Sequence, residues 1–179
     1  RLRLRSVPPI RVHETLAEPC LCGLADPAVL LPSRWLASAG PAEVDAVLAH
    51  ELAHARRRDP LWNLLQRAVE ALLFFHPPVR WLSQSLRSQG ELAADRLAAR
   101  LTGDPLSLAR ALEALARLGI DPALSRPVVA ASGHDPDSLL PRIQELIGMK
   151  PPARPMRPWP LLALPLAAAL AVLAASAQE

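Results

Sequence analysis

Tyrosine is absent from this 179-residue chain, and phenylalanine occurs only twice. Lysine occurs once, at Lys150, so nearly all the basic charge is arginine. No Lys/Arg run interleaves with aromatics, and the net charge is a mild +3. That disfavours a nucleic-acid reader, which needs a concentrated basic patch or stacking aromatics. The two cysteines, Cys20 and Cys22, form a C-x-C pair. Their spacing is too close for an easy disulfide in a regular strand, and two cysteines make no disulfide framework. With no second cysteine pair there is no cysteine-based metal site either, so both read as small apolar residues. Nothing demands an oxidising compartment.

What the chain has is apolar bulk. It is 51% hydrophobic, with 20 prolines and 5 histidines. The length suits one modest domain. The chain begins at Arg1 and not at Met, which leads to the expectation of a longer protein with upstream residues, membrane spans among them.

The first forty residues read as short strands and turns, with Ile10 to Val12 and Ala28 to Leu31 as strands. Pro27 and Pro32 flank the second, which predicts an edge strand. Such an edge could accept an extended peptide by strand addition. From Pro41 the apolar period becomes helical, because Val44, Val47, Leu48, Leu52 and Ala55 fall three and four apart. Proline suits a first helical turn, and Glu43 and Asp45 favour that end of the dipole. This helix closes in Arg56-Arg57-Arg58. Asp59 is expected to cap a second helix running to about Phe75, stopped at His76-Pro77-Pro78. A third is expected from about Val79 to Leu101, with Gly90 marking a close approach or a kink. Further helices are expected over 105–118 and 138–147, closed by Gly119 and Gly148. The apolar stretch Leu72 to Val79 is too short to span a bilayer and reads as core, with a bilayer surface as the other option.

Residues 1–149 thus form one domain, mainly α with a small N-terminal β element. Residues 150–157 read as a basic, proline-rich linker. Residues 158–178 carry no charge. Twenty-one residues cover ~30 Å at about 1.5 Å per residue, so this segment reads as a transmembrane helix. Trp159 suits its interface, and Arg154 and Arg157 predict a cytoplasmic domain at a cell (inner) membrane.

The central motif is His50-Glu51-Leu52-Ala53-His54. Residues four apart share a helical face, so both imidazoles can reach one ion. Zinc accepts imidazole nitrogen, and Glu51 beside it is placed to take a proton from a metal-bound water. Glu51 is therefore the candidate catalytic base, and one zinc the expected cofactor. A catalytic zinc keeps three protein ligands and an open position. Glu91, in Glu91-Leu92-Ala93-Ala94-Asp95, is the candidate third. Asp95 lies one turn further on the same face, positioned to accept an N–H from a ligand histidine and fix its tautomer. With no tyrosine to donate to an oxyanion, His76 is the first candidate donor, ahead of His134 and Arg96. His13 reads as a surface or strand residue.

Four segments resemble one family. They are Val47 to His54, Arg57-Arg58-Asp59-Pro60-Leu61-Trp62-Asn63, Phe74-Phe75-His76-Pro77-Pro78-Val79 and Glu91 to Asp95. Together they look like the membrane metallopeptidases of the β-lactam-sensor type, the BlaR/MecR signal transducers. The likeness covers about residues 7–102, with Gly23 to Leu36 resembling the segment before the zinc helix. It implies a gluzincin-like (zincin-like α+β) fold, one zinc on His50, His54 and Glu91, and membrane spans around a cytoplasmic protease domain. It also implies regulatory proteolysis in signal transduction, with the transducer itself or a transcriptional repressor as substrate. Two departures stand out. Ala94 occupies a position that is often cysteine, without touching the ligand set. No penicillin-binding sensor segment is recognisable, so nothing here points to β-lactam sensing. Two other readings compete: a quality-control membrane protease of the HtpX-like type, and a non-catalytic membrane scaffold with structural zinc. The intact Glu51 argues against the scaffold.

Overall fold

The computed structural model describes residues 7–119 and 139–149. In chain order these form β1 (Ile10–His13), β2 (Cys20–Cys22), β3 (Ala28–Pro32), α1 (Ser33–Leu36), α2 (Pro41–Arg57), α3 (Asp59–Leu72), α4 (Pro77–Thr102), α5 (Pro105–Gly119) and α6 (Leu139–Leu146). The chain is mainly helical with a small N-terminal sheet. The linker 150–157, the charge-free segment 158–178 and His134 lie outside the described residues. Among those described, no helix is long and apolar enough to cross a membrane.

The sheet order is β1-β3-β2, with β1 parallel and β2 antiparallel to β3. This corrects the expectation for the proline-flanked strand: β3 is central. Its prolines sit just before it and at its last residue, where they remove no hydrogen bond from the middle of the ladder. Val29 is fully buried, and its N–H donates to the Pro9 carbonyl at 2.9 Å. With both flanks occupied, β3 offers no edge to a peptide, and a proline at Val29 would break the sheet itself. At the β2–β3 turn Gly23 has φ +100°, and a Cβ there would meet the Asp26 carbonyl oxygen at 2.6 Å. Only glycine fits that conformation and that gap.

Leu21, Val29 and Leu31 meet Trp35 of α1, Ala46 and Val47 of α2, Ala98 of α4, and Leu108, Ala111, Leu112 and Leu115 of α5. The small residues on α2 and α4 let these two helices approach closely. Pro41 opens α2, and the Glu43 carboxylate reaches back to the Gly40 N–H at 3.1 Å. One left-handed residue, Arg58 (φ 57°), ends α2 and starts α3. That tight corner turns α3 away, so that α4 returns beside α2. Asp59 is not the expected cap: it is the first residue of α3, and its carboxylate is used elsewhere. Helix α4 runs unbroken through Gly90, whose carbonyl accepts from Arg57 Nη1 at 2.7 Å. The close approach expected there is therefore to Arg57, without a break in the helix.

The stretch Leu72 to Phe75 is not core. Leu72, Phe74 and Phe75 are 75%, 73% and 66% exposed, at the turn between α3 and α4.

Candidate metal centre

Helix α2 carries His50 and His54 one turn apart on the face turned toward α4, and α4 presents Glu91 to them. All three are buried, and one ligand atom of each lies within 4.8 Å of the others. The two histidine Nε2 atoms are 3.0 Å apart. Glu91 Oε2 is 3.6 Å from His50 Nε2, and Glu91 Oε1 is 3.7 Å from His54 Nε2. Tetrahedral ligands around zinc at ~2.0–2.1 Å stand about 3.4 Å from one another. The observed separations bracket that spacing.

The outer nitrogens explain why the inner ones converge. His54 Nδ1 lies 2.6 Å from Asp59 Oδ2. His50 Nδ1 lies 2.9 Å from Asp95 Oδ1, at hydrogen-bond distance though off the N–H axis. An ionised carboxylate only accepts, so His54 Nδ1 carries the hydrogen and its Nε2 lone pair is directed inward; Asp95 is placed to hold His50 in the same way. Two lone pairs at 3.0 Å require a shared cation, either a proton or a metal. Burial opposes a charge on His50, but Asp95 and Glu91 outweigh it and push the imidazole up to about 10.

Four carboxylates gather here. Asp59, Glu91 and Asp95 touch the histidines, and Glu51 is buried beside them at 2% exposure. Glu51 Oε2 has no hydrogen-bond partner among the described residues. Burial holds the Glu51 carboxyl above its ordinary range, against the pull of His54 and His50. Burial also works to raise Glu91, but His50, His54 and Arg142 hold it well below. Asp95 is likewise brought down to about 2, burial being outweighed by Arg142 and His50.

Arg142, on α6, is the one residue of this cluster that sequence reasoning missed outright. Its guanidinium is 1% exposed and grips Asp95 with two bonds, Nε to Oδ2 at 2.7 Å and Nη2 to Oδ1 at 2.8 Å. Its Nη1 is 3.1 Å from Glu91 Oε2. A bidentate guanidinium fixes the plane of the carboxylate it holds, so Arg142 orients Asp95 and, through it, His50. Asp59 was missed as a site residue because it was read as a helix cap.

The other candidates stand apart. His76 is exposed at the residue just before α4, and its side chain makes no capping bond. Glu91 lies about 22 Å further along that helix at 1.5 Å per residue, so His76 does not reach the centre. Arg96 pairs with Glu145 of α6 and is over half exposed. His13 is exposed on β1, its Nδ1 near the Thr15 hydroxyl at 3.2 Å. A cleft opens beside the cluster, lined by His54, Glu91, Asn63, Gln66 and Arg87. The donor set, two imidazoles and a carboxylate amid excess negative charge, suits a divalent cation.

Comparison with known proteins agrees with this geometry. The chain is 26% identical over 87 residues to the regulatory protein BlaR1 of Staphylococcus aureus, covering 49% of this chain and 15% of that protein. It is 29% identical over 80 residues to the regulatory protein BlaR1 of Bacillus licheniformis, covering 45% and 13%. The match thus spans only about one seventh of the length of these relatives. The sequence model of the BlaR1 peptidase M56 family matches residues 2–103, which hold both histidines and all four carboxylates of the cluster. The chain belongs to the BlaR1 peptidase M56 family, a family of metallopeptidases.

Proposed function

We propose that this chain is the catalytic part of a membrane-anchored zinc endopeptidase that carries out regulatory proteolysis. His50, His54 and Glu91 would hold the metal, and Glu51 would act as the base. The observation that carries this reading is the pairing of a three-residue cluster able to hold a metal with the buried Glu51 carboxylate, whose Oε2 has no hydrogen-bond partner among the described residues. A structural site closes its fourth position with protein and needs no neighbouring base.

Bound zinc would supply Lewis acidity, bringing a water's pKa to about 7. The residues do the rest. Glu51, already held above its ordinary pKa by burial, would act as the base toward an attacking water and then as the acid toward the departing amine. Asp59 and Asp95 keep the imidazoles in the one tautomer that leaves Nε2 free. Arg142 holds Asp95 in plane. A peptide would enter by the cleft between α3 and α4. The substrate class is a protein segment; a transcriptional repressor and the transducer itself are the proposed targets, by analogy with the regulatory role that the relatives' name states. A cytoplasmic face at the cell membrane is proposed on the charge-free 158–178 segment and the arginines before it.

The test is cleavage of a peptide library by zinc-loaded protein and its Glu51→Gln variant. Loss of about a thousandfold in kcat, with zinc still bound, is the expected result, since Glu51 serves as both the base and the acid. Equal activity of the two would remove Glu51 from the chemistry and favour a structural metal.

A further inference from the structure

Helix α3 is amphipathic in the reverse sense from a helix of a water-soluble domain. Its polar face looks inward. Asn63 and Gln66 line the cleft beside His54 and Glu91, and Glu70 accepts from Arg87 of α4 at 2.8 Å. Its apolar face looks out, with Leu61, Leu65 and Leu72 51%, 53% and 75% exposed, and Asp59 is its one buried residue. An amphipathic helix normally covers its apolar stripe with the core. Here the stripe continues over the turn through Phe74 and Phe75 and onto α4 at Leu82, 53% exposed. Contiguous exposed apolar surface of this extent marks an interaction site.

The charges around the stripe identify what covers it. Residues 71–79, which form the tip, contain no Asp, Glu, Lys or Arg. Exposed Arg67 and Arg80 bracket that tip from the two helices, about 7 Å and 5 Å back along their axes. Arginines at that height can bury their stems and place the guanidinium at a phosphate layer. The acid nearest the tip, Glu70, is already engaged by Arg87. A second copy docking here about a two-fold axis would bring arginine against arginine, which disfavours self-association. Helix α3 has 14 residues and is about 21 Å long, short of the ~30 Å needed to span.

We propose that the tip of the α3–α4 hairpin inserts into an anionic phospholipid surface, to the depth of the headgroup–acyl boundary, and so holds the mouth of the metal cleft at the membrane. The inference does not rest on peptidase activity: an inactive chain would bind in the same way. It is also separate from any anchoring by residues 158–178, because it concerns the position of the tip.

The experiment reads that position directly. Full-length chain carrying Cys22→Ser and Phe74→Cys, with buried Cys20 left in place, is labelled at 74 with an environment-sensitive fluorophore. A second protein carries Glu113→Cys in place of Phe74→Cys and reports from exposed α5. Both are reconstituted into vesicles of phosphatidylcholine and phosphatidylglycerol with brominated acyl chains. The label at 74 is expected to shift blue and to be quenched at least roughly threefold more than the label at 113, as suits a site ~5–10 Å deep. Adding Phe75→Glu, an exposed position whose change spares the core, should bring quenching at 74 down to the level at 113. Equal quenching at both positions in vesicles that carry the chain overturns the proposal. So does a label at 74 that is shielded without vesicles, in protein that sediments as a dimer.

Discussion

A histidine ligand is only as good as the group behind it. Asp59 and Asp95 stand behind His54 and His50 at 2.6 Å and 2.9 Å, and the bond from Asp59 removes a choice of tautomer at His54. Their replacement should therefore weaken the metal without touching a ligand. Asp59→Asn is expected to lower zinc affinity about 10–100-fold, the range for orienting partners of metal ligands, measured by competition with a chromophoric chelator. An unchanged affinity would make Asp59 a packing residue. Asp95 was legible in the sequence because it lies one helical turn from Glu91. Asp59 was half legible: an Asp five residues after His54, across a helix corner, fits both a cap and a partner of the ligand. Only the left-handed turn at Arg58 shows which it is. Arg142 gave no signal. It lies 47 residues from Asp95, on a short helix with no motif of its own.

At the scale of elements, the 3.6-residue apolar period disclosed α2, and proline and glycine boundaries marked α4 and α5. Strand β2 and helix α1, three and four residues long, are too short to show a period. The stretch Leu72 to Val79 was read as core and its apolar tip is exposed: an apolar run says that a surface exists to be covered and not what covers it. Helix α5 carries Leu108, Ala111, Leu112 and Leu115 into the core, and Asp104 caps it. The Asp104 carboxylate accepts the Ser107 N–H at 3.1 Å and the Ser107 hydroxyl. Those bonds hold its pKa below the ordinary value. A lowered carboxylate stabilises the fold above its unfolded pKa and loses that effect as the pH falls through the folded one. Asp104→Ala is thus expected to lower the urea midpoint at pH 7 and to change it little at pH 2. Equal shifts at the two pH values would mean that the charge plays no part in the cap.

For the whole molecule, the candidate ligands lie on two helices that are distant in sequence, His50 and His54 on α2 and Glu91 on α4. Binding that bridges them is linked to folding. Excess zinc at 100 times its dissociation constant should add about 2.7 kcal/mol to stability. Chelation is expected to lower Tm in the wild-type protein and to leave a His50→Ala variant unmoved. A wild-type Tm indifferent to chelator would separate the cluster from the fold. The mainly helical architecture and the pair His50 and His54 could be read in advance because they are local patterns, whereas Glu91 became a candidate ligand only in combination with that pair. The sheet order could not, since β1 pairs with β3 across the intervening β2 by contacts that no local spacing records.

The central claim is that His50, His54 and Glu91 hold one catalytic metal. The most direct test is the zinc content of purified full-length wild-type, His50→Ala and Glu91→Ala proteins in detergent. One zinc per chain in the wild type, lost or greatly weakened in both variants, is the predicted result. Zinc retained without Glu91, or no zinc in the wild-type protein at all, would contradict it.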